Sequence, residues 1–180
     1  MAERIIGLAG EIASGKTTAA KYLMEKHGAR GARFSTAMRD VLGRLYLPES
    51  RYNNQAVSLA LRQAFGENLW AEVVAKDVAK LEAPLVVIDG IRRPADIEPF
   101  KNNPNFTLVY IKTALETRFR RIIRRGENED DTGKTWEQFQ QDQQLEAELQ
   151  IRELEPLATV VIDNTGSLAE FHAALDHLLS

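Results

Sequence analysis

Several kinds of chemistry are excluded by what this 180-residue sequence lacks. It has no cysteine, so it forms no disulfide, thiolate nucleophile or cysteine-based metal site. Its net charge of −3 gives no general positive field for nucleic acid. Its longest apolar runs are far shorter than a membrane span, and the N-terminal residues lack the apolar region of a signal peptide. We therefore expect a cytoplasmic protein with neither nucleic-acid nor membrane partners.

The most informative stretch runs from Ile5 to Thr18. A short apolar segment leads into G-x-x-x-x-G-K-T, the phosphate-binding P-loop pattern, and helix-forming sequence follows. In such a loop, glycines let backbone N–H groups surround a phosphate chain, and the next helix adds the positive end of its dipole. Lys16 supplies charge to the outer phosphates, and Thr17 supplies a hydroxyl for Mg²⁺. The predicted ligands of ATP in this loop are Gly10, Ala13, Ser14, Gly15, Lys16, Thr17 and Thr18.

Predicted strands and helices alternate along the chain. Apolar runs predict strands at 4–9, 85–89, 106–112 and 158–162, and a very short one starting at Arg33 and Phe34. Periodicity and capping residues predict helices at 16–26, from Ser35 or Thr36 to 45, at 57–65, from Asn68 to 81, and at 95–100, 115–125, 135–155 and 167–179. Residues 127–134 form a predicted loop. This alternation predicts one α/β domain over residues 1–180, with a parallel sheet covered on both faces.

Charged residues follow several predicted strands, at the sheet edge where such folds bind ligands. Asp89 ends an apolar strand, where P-loop proteins place the acid that holds Mg²⁺, usually through water. Arginines neutralise the charge on a transferring phosphoryl group, and the candidates are Arg39, Arg92, Arg93 and the arginines of 118–125. No histidine follows a predicted strand, so no convincing catalytic base is present. This favours an acceptor whose attacking oxygen is already ionised, such as a phosphate.

Residues 87–93, Val-Ile-Asp-Gly-Ile-Arg-Arg, resemble the Asp-Gly-Phe-Pro-Arg segment of adenylate kinases and related nucleoside monophosphate kinases. Residues 34–39 resemble the start of their monophosphate-binding region, and 118–125 with the following polar loop resemble their lid. The resemblance implies a three-layer P-loop fold with about five parallel strands in the order 2-3-1-4-5. It also implies ATP as phosphoryl donor, with Mg²⁺, and a phosphorylated small molecule as acceptor.

The same resemblance implies a role for each remaining candidate residue. Arg93 clamps the acceptor phosphate, with Ser35, Arg39 and Asp89, beneath an acceptor-binding helical region at about 36–82. Catalytic arginines close over the transferring group from a lid at about 115–135. The implied catalytic residues are Lys16, Arg93, Arg121 (or Arg124) and Arg125, and the implied additional ATP ligands are Arg118, Asn164 and Gly166.

Two departures from the adenylate kinase pattern leave alternatives open. Arg92 replaces the proline, and the spacing from hydroxyl to arginine differs. Residues 61–68 resemble phage-type deoxynucleoside monophosphate kinases instead, whereas 163–168 resemble the C-terminal turn of dephospho-coenzyme A kinases. That enzyme's aspartate-rich motif is missing after the second strand, where Ser35-Thr36-Ala37 stands.

The leading hypothesis is a kinase for nucleoside or deoxynucleoside monophosphates. A rival is dephospho-coenzyme A kinase, or another kinase with a hydroxyl acceptor, for which Asp89 is the candidate base. A second rival is a P-loop ATPase or regulatory switch, with residues 137–155 as a helix that binds a macromolecular partner.

Overall fold

A five-stranded parallel sheet lies at the centre of the computed structural model, which describes residues 2–125 and 133–180. The strands are β1 (Arg4–Ala9), β2 (Arg30–Arg33), β3 (Leu85–Asp89), β4 (Phe106–Lys112) and β5 (Val160–Asp163). Their order is β2-β3-β1-β4-β5, as the resemblance implies. Ile6 is paired with Val87 on one side and Thr107 on the other. The loop that follows β1 therefore starts from the middle of the sheet.

Eight α-helices and one 3₁₀ helix surround the sheet in the described residues. They are α1 (Lys16–His27), α2 (Phe34–Arg44), α3 (Arg51–Phe65), α4 (Leu69–Lys80), the 3₁₀ helix Pro94–Phe100, α5 (Leu115–Arg125), α6 (Trp136–Asp142), α7 (Glu146–Arg152) and α8 (Leu168–Leu179). None of these helices is long and apolar enough to cross a membrane.

Alternate residues of the central strand divide the core between the two faces of the sheet. Ile6 and Leu8 pack with apolar side chains of α1 and α8, including Leu23 and Phe171. On the other face, Ile5 packs in a cluster that includes side chains of α2, α4 and α7. Full burial of each such large side chain contributes about 1.5–3 kcal/mol. The sheet is thus the middle of three layers, and its strand ends form the edge that carries the candidate site.

Three local predictions are wrong. The strand expected to begin at Arg33 ends there, and Phe34 begins α2 with neither Ser35 nor Thr36 capping it. This edge strand has mostly exposed side chains, so it carries no apolar pattern. The last strand lies at Val160–Asp163 rather than 158–162. Asn68 is the N-cap residue of α4 as predicted, although its side chain makes no cap hydrogen bond.

The single helix predicted over 135–155 is divided into α6 and α7. Thr135 starts α6 with the capping box that its sequence indicates. The backbone then extends at Leu145, the N-cap of α7. The break lets Phe139 of α6 pack against Phe119 of α5. It also lets Ile151 of α7 join the hydrophobic core against one face of the sheet. The predicted loop at 127–134 falls largely on residues 126–132, which lie outside the described residues.

A cluster of polar side chains, which we call the clasp, joins α1 to α8 on the face of the sheet opposite α2 and α4. Asp176 accepts hydrogen bonds from the Tyr22 hydroxyl (2.9 Å) and the Lys26 ammonium (2.7 Å), and one oxygen lies 2.7 Å from Nε2 of His27. The Tyr22 ring also stacks on His172 with centroids 3.8 Å apart. Bonds from Lys26 and His27 lower the pKa of Asp176 to about 2.

We predict that Asp176→Asn lowers the melting temperature by a few degrees at neutral pH, because the charged acceptor of three donors is lost. A carboxyl group whose pKa is depressed on folding stabilises above its ordinary value of 3.8, and this contribution is lost as the pH falls toward 2. The difference between wild type and variant should therefore shrink over that range in thermal melts. Glu25→Gln, in the exposed pair with Lys21, is the control and should change little. Equal melting temperatures at pH 7 would contradict the clasp.

Candidate functional site

The turn between β1 and α1 takes backbone conformations that require glycine at two positions. Gly10 has φ of +144°, and a Cβ there would lie 2.5 Å from the carbonyl oxygen of Ile111. Gly15, the N-cap of α1, has φ of +110°, and a Cβ would collide with the Asn164 amide. Ala13 also has a positive φ, of 59°. The predicted P-loop therefore has the tightly turned backbone that phosphate binding requires.

Lys16 folds back over this loop. Its ammonium donates to the carbonyl oxygens of Gly10 (2.5 Å) and Glu11 (2.9 Å). Burial, followed by the nearby positive charge of Arg92, lowers the pKa of Lys16 to about 8. A phosphate chain would add negative charge beside this partly buried ammonium.

The carbonyl oxygen of Ser14 anchors the loop to the ends of two other strands. It accepts hydrogen bonds from Thr113 Oγ1 (3.0 Å), which follows β4, and from Asn164 Nδ2 (2.8 Å), which follows β5. Arg121 of α5 donates to the same oxygen (3.4 Å) and, at 2.8 Å, to the carbonyl oxygen of Asn164. Asn164 and Arg121, predicted to touch ATP and the transferring group, thus lie against the backbone of the loop.

Glu11 connects the loop to α5 and α7. One carboxylate oxygen accepts from Arg118 (3.0 Å) and from Arg152 (2.8 Å). The Arg118 side chain is only 3% exposed, and it also donates to the buried Gln143 amide oxygen at 2.8 Å. Burial lowers the pKa of Arg118, and the charge of Glu11 opposes that shift. Arg118, a predicted ATP ligand, is thus held beside the loop through an internal ion pair.

The groups predicted to hold Mg²⁺ lie at the ends of neighbouring elements. Thr17 is exposed on the first turn of α1, with Thr18 beside it. Asp89 ends β3, next to β1 in the sheet, and its Oδ2 lies 3.0 Å from Nη2 of Arg33. A cavity of about 270 Å³ opens beside this pair, lined in part by Thr36. Hydroxyl and carboxylate oxygens are suitable ligands for Mg²⁺.

The predicted acceptor arginines are directed to different carboxylates. Arg93 Nη1 lies 3.0 Å from Glu67, and its Nη2 lies 3.5 Å from Asp96. Arg39 lies one turn after the partly buried Ser35, near the start of α2. Its guanidinium contacts Glu49 at 2.6 Å. Among the described residues, Arg39 and Arg93 therefore share no carboxylate partner.

Two further predicted residues are exposed at the end of α5 and in the loop before α8. Gly166 is exposed in the loop before α8, where a Cβ would meet the Glu170 carboxylate. Arg125 is exposed at the end of α5, immediately before residues 126–132.

Several residues at the site are missing from the predicted site residues. Two signals were available in the sequence: Arg62 and Glu67 lie in the 61–68 segment that resembles phage-type kinases, and Thr113 follows a predicted strand. The others, which carry no motif of their own, are Glu11, Arg33, Asp96, Gln143 and Arg152.

We predict that Glu11→Gln lowers the free energy of unfolding by about 1–3 kcal/mol, because the buried Arg118 loses its charged partner. Denaturant unfolding of the full chain measures this change. Glu153→Gln, exposed just after α7, is the matched control and should alter stability by less than about 0.5 kcal/mol. Equal stability of Glu11→Gln and wild type would show that the network does not hold Arg118.

Comparison with known proteins places this chain in a family. Residues 6–146 match the family described as AAA domain. A UPF0200 protein of Methanoregula boonei is 31% identical, over 97% of this chain and 95% of its own. A UPF0200 protein of Pyrococcus furiosus is 29% identical, over 98% of this chain and 96% of its own.

Solved structures with low sequence identity share the fold. TT1252 from Thermus thermophilus has a TM-score of 0.62 at 23% identity, over 99% of this chain and 97% of its own. The shikimate kinase of Acinetobacter baumannii, solved with shikimate, has a TM-score of 0.56 at 18% identity, over 98% and 90%. A gluconokinase of Sinorhizobium meliloti has a TM-score of 0.57 at 16% identity, over 98% and 93%. The chain therefore has a P-loop kinase-like fold and belongs to the AAA domain family and to the UPF0200 family.

Proposed function

We propose that this chain is a phosphotransferase that moves the γ-phosphoryl group of ATP to a nucleoside or deoxynucleoside monophosphate. The observation that carries the proposal is the placement of two cationic sites at adjacent strand ends. The P-loop with Lys16 follows β1, and Arg93 follows β3, which pairs directly with β1. Donor and acceptor phosphates bound at these two positions would lie side by side. The proposed reaction involves small molecules alone, in the cytoplasm.

The proposed chemistry depends on positioning and charge. The P-loop N–H groups and Lys16 hold the β- and γ-phosphates of ATP, and Arg93 orients the acceptor. An ionised oxygen of the acceptor phosphate attacks the γ-phosphorus, and the bond to the oxygen bridging to the β-phosphate breaks, which releases ADP. The attacking oxygen carries no proton, so no catalytic base is required.

Mg²⁺ fits this proposal through Thr17 and Asp89. The Thr17 hydroxyl would bind the ion directly, and the Asp89 carboxylate would bind it through water. When bound, Mg²⁺ neutralises charge on the β- and γ-phosphates. Arg33 contacts Oδ2 of Asp89 at 3.0 Å, so this carboxylate would serve both the arginine and the ion's water.

Closure of a lid completes the proposal. Arg121 and Arg125 lie on α5, whose last residue precedes residues 126–132. In the proposed cycle these arginines approach the transferring phosphoryl group as the region 115–135 closes, and water is excluded so that ATP is not hydrolysed.

The second candidate function is a kinase whose acceptor is a hydroxyl group, and the position of Asp89 favours it. Asp89 ends the strand beside the P-loop and borders the 270 Å³ cavity. Its carboxylate would have to accept the hydroxyl proton. His27 and His172 belong instead to the clasp between α1 and α8. Dephospho-coenzyme A and small hydroxy acids or sugars are acceptors of this class.

A coupled assay of ADP release tests the proposed function. All ribo- and deoxynucleoside monophosphates, dephospho-coenzyme A and several hydroxyl acceptors are screened with ATP and Mg²⁺. A nucleoside monophosphate should accelerate ADP release well above background and stabilise the fold by mass action. Lys16→Ala should remove most of this turnover while the fold stays intact. Acceleration by no phosphorylated acceptor would refute the proposal, and acceleration by hydroxyl acceptors alone would support the second candidate.

Arg93→Ala should depress turnover far more than it weakens ATP binding, because Arg93 belongs to the acceptor side. We expect kcat/KM for the acceptor to fall roughly a hundredfold, as for loss of a charge-assisted contact that strengthens in the transition state. ATP affinity should change less than about threefold. Arg30 is exposed at the start of β2, away from the strand ends that carry the site. The control variant Arg30→Ala should leave both constants unchanged. An equal loss of ATP affinity would place Arg93 on the donor side.

A further inference from the structure

Two arginines from separate parts of the chain converge on one oxygen atom. Nη1 of Arg62, in the last turn of α3, lies 3.3 Å from Oε2 of Glu67. Nη1 of Arg93, which follows β3, lies 3.0 Å from the same oxygen. Both arginine side chains are only 18% exposed. The structure thus contains a largely buried double-guanidinium site for a single anionic oxygen.

Groups other than Glu67 hold both guanidiniums in position. Arg62 Nε donates to the carbonyl oxygen of Ser58 at 3.2 Å, and the buried Trp70 indole donates to that same oxygen at 3.3 Å. Arg93 Nη2 lies 3.5 Å from Asp96, and Asp96 accepts the Arg93 backbone N–H at 3.1 Å. The two arginines are therefore arranged for an anion by parts of the fold that do not depend on Glu67.

The Glu67 carboxylate is held only weakly in this site. It lies in the short turn between α3 and α4, and its side chain is 66% exposed. Both arginines contact only one of its oxygens. Ion pairs of exposed carboxylates contribute little to stability, because water screens them and the side chain loses freedom. A phosphate dianion offers more charge and three oxygens, and it forms shorter bidentate bonds with guanidinium groups.

We propose that the Glu67 carboxylate is an internal substitute for a phosphate oxygen of the acceptor, held by Arg62 and Arg93 until a phosphomonoester displaces it. This inference rests on the proposed function and narrows its acceptor class. A dianionic phosphomonoester displaces Glu67, whereas a neutral hydroxyl compound gains nothing at this position. Glu67 therefore acts as a specificity-determining residue, and Arg62 is the second arginine of the acceptor-phosphate site.

Equilibrium binding of inorganic phosphate to the full chain tests the proposal without turnover. The Lys16→Ala background is used, so that phosphate bound at the P-loop contributes little. Glu67→Gln keeps the shape of the side chain and removes its charge, and it should tighten phosphate binding roughly three- to tenfold. Arg62→Gln should weaken binding roughly tenfold. Glu82→Gln, exposed near the opposite end of β3, is the matched control and should leave the dissociation constant unchanged.

Nucleoside monophosphates and the corresponding nucleosides form the second arm of the experiment. The monophosphates should repeat the pattern seen with inorganic phosphate, and nucleosides should bind equally to wild-type and Glu67→Gln backgrounds. The proposal would be overturned if Glu67→Gln left phosphate binding unchanged or weaker. It would also be overturned if Arg62→Gln did not change the affinity for nucleoside monophosphates. A shift with free phosphate alone would also overturn it, since the site would then not accept an ester. Failure of the proposed function is a separate result, because it appears as absent ADP release in the turnover screen.

Discussion

The hydrogen bonds donated to the Ser14 carbonyl are the interaction on which the rest of the site depends. A P-loop turns its own N–H groups inward, so its carbonyl groups must find donors elsewhere. Here those donors come from Thr113 after β4, Asn164 after β5 and Arg121 on α5. The strand order places the end of β4 beside β1 and the end of β5 one strand further along. The fold thus holds the loop in its tight shape through groups that lie 99, 150 and 107 residues away.

Internal carboxylates neutralise many cations at the site. Arg118 contacts Glu11, Arg33 contacts Asp89, and Arg62 and Arg93 share Glu67. Buried or partly buried charges require partners, and internal carboxylates supply them here. Phosphate binding at such a site would exchange one anion for another. How readily each carboxylate leaves depends on its exposure, which differs widely between Glu11 and Glu67.

Local sequence patterns predicted most of the elements well. The strands Arg4–Ala9, Leu85–Asp89 and Phe106–Lys112 and the helix Leu115–Arg125 have the expected bounds, because continuous apolar runs and amphipathic spacing are local signals. The edge strand β2 was misplaced, since few of its side chains are buried. The division between α6 and α7 was also missed, because the packing of Phe139 and Ile151 that accompanies the break is tertiary. The α1–α8 clasp joins residues about 150 positions apart, so no local pattern could indicate it.

The sequence by itself determined that a phosphate-binding turn follows a buried strand, because glycine, lysine and threonine at that spacing are required by the chemistry of the loop. It also determined that arginines lie after the neighbouring strand. Only the tertiary structure decided which charges meet. Asn164 supports the loop because the parallel sheet brings together strand ends that are distant along the chain. Arg118 on α5 reaches Glu11, and Arg62 on α3 meets Arg93 at a shared carboxylate, because these helices pack beside the strand ends. Pairing between distant side chains depends on that packing, which no local pattern encodes.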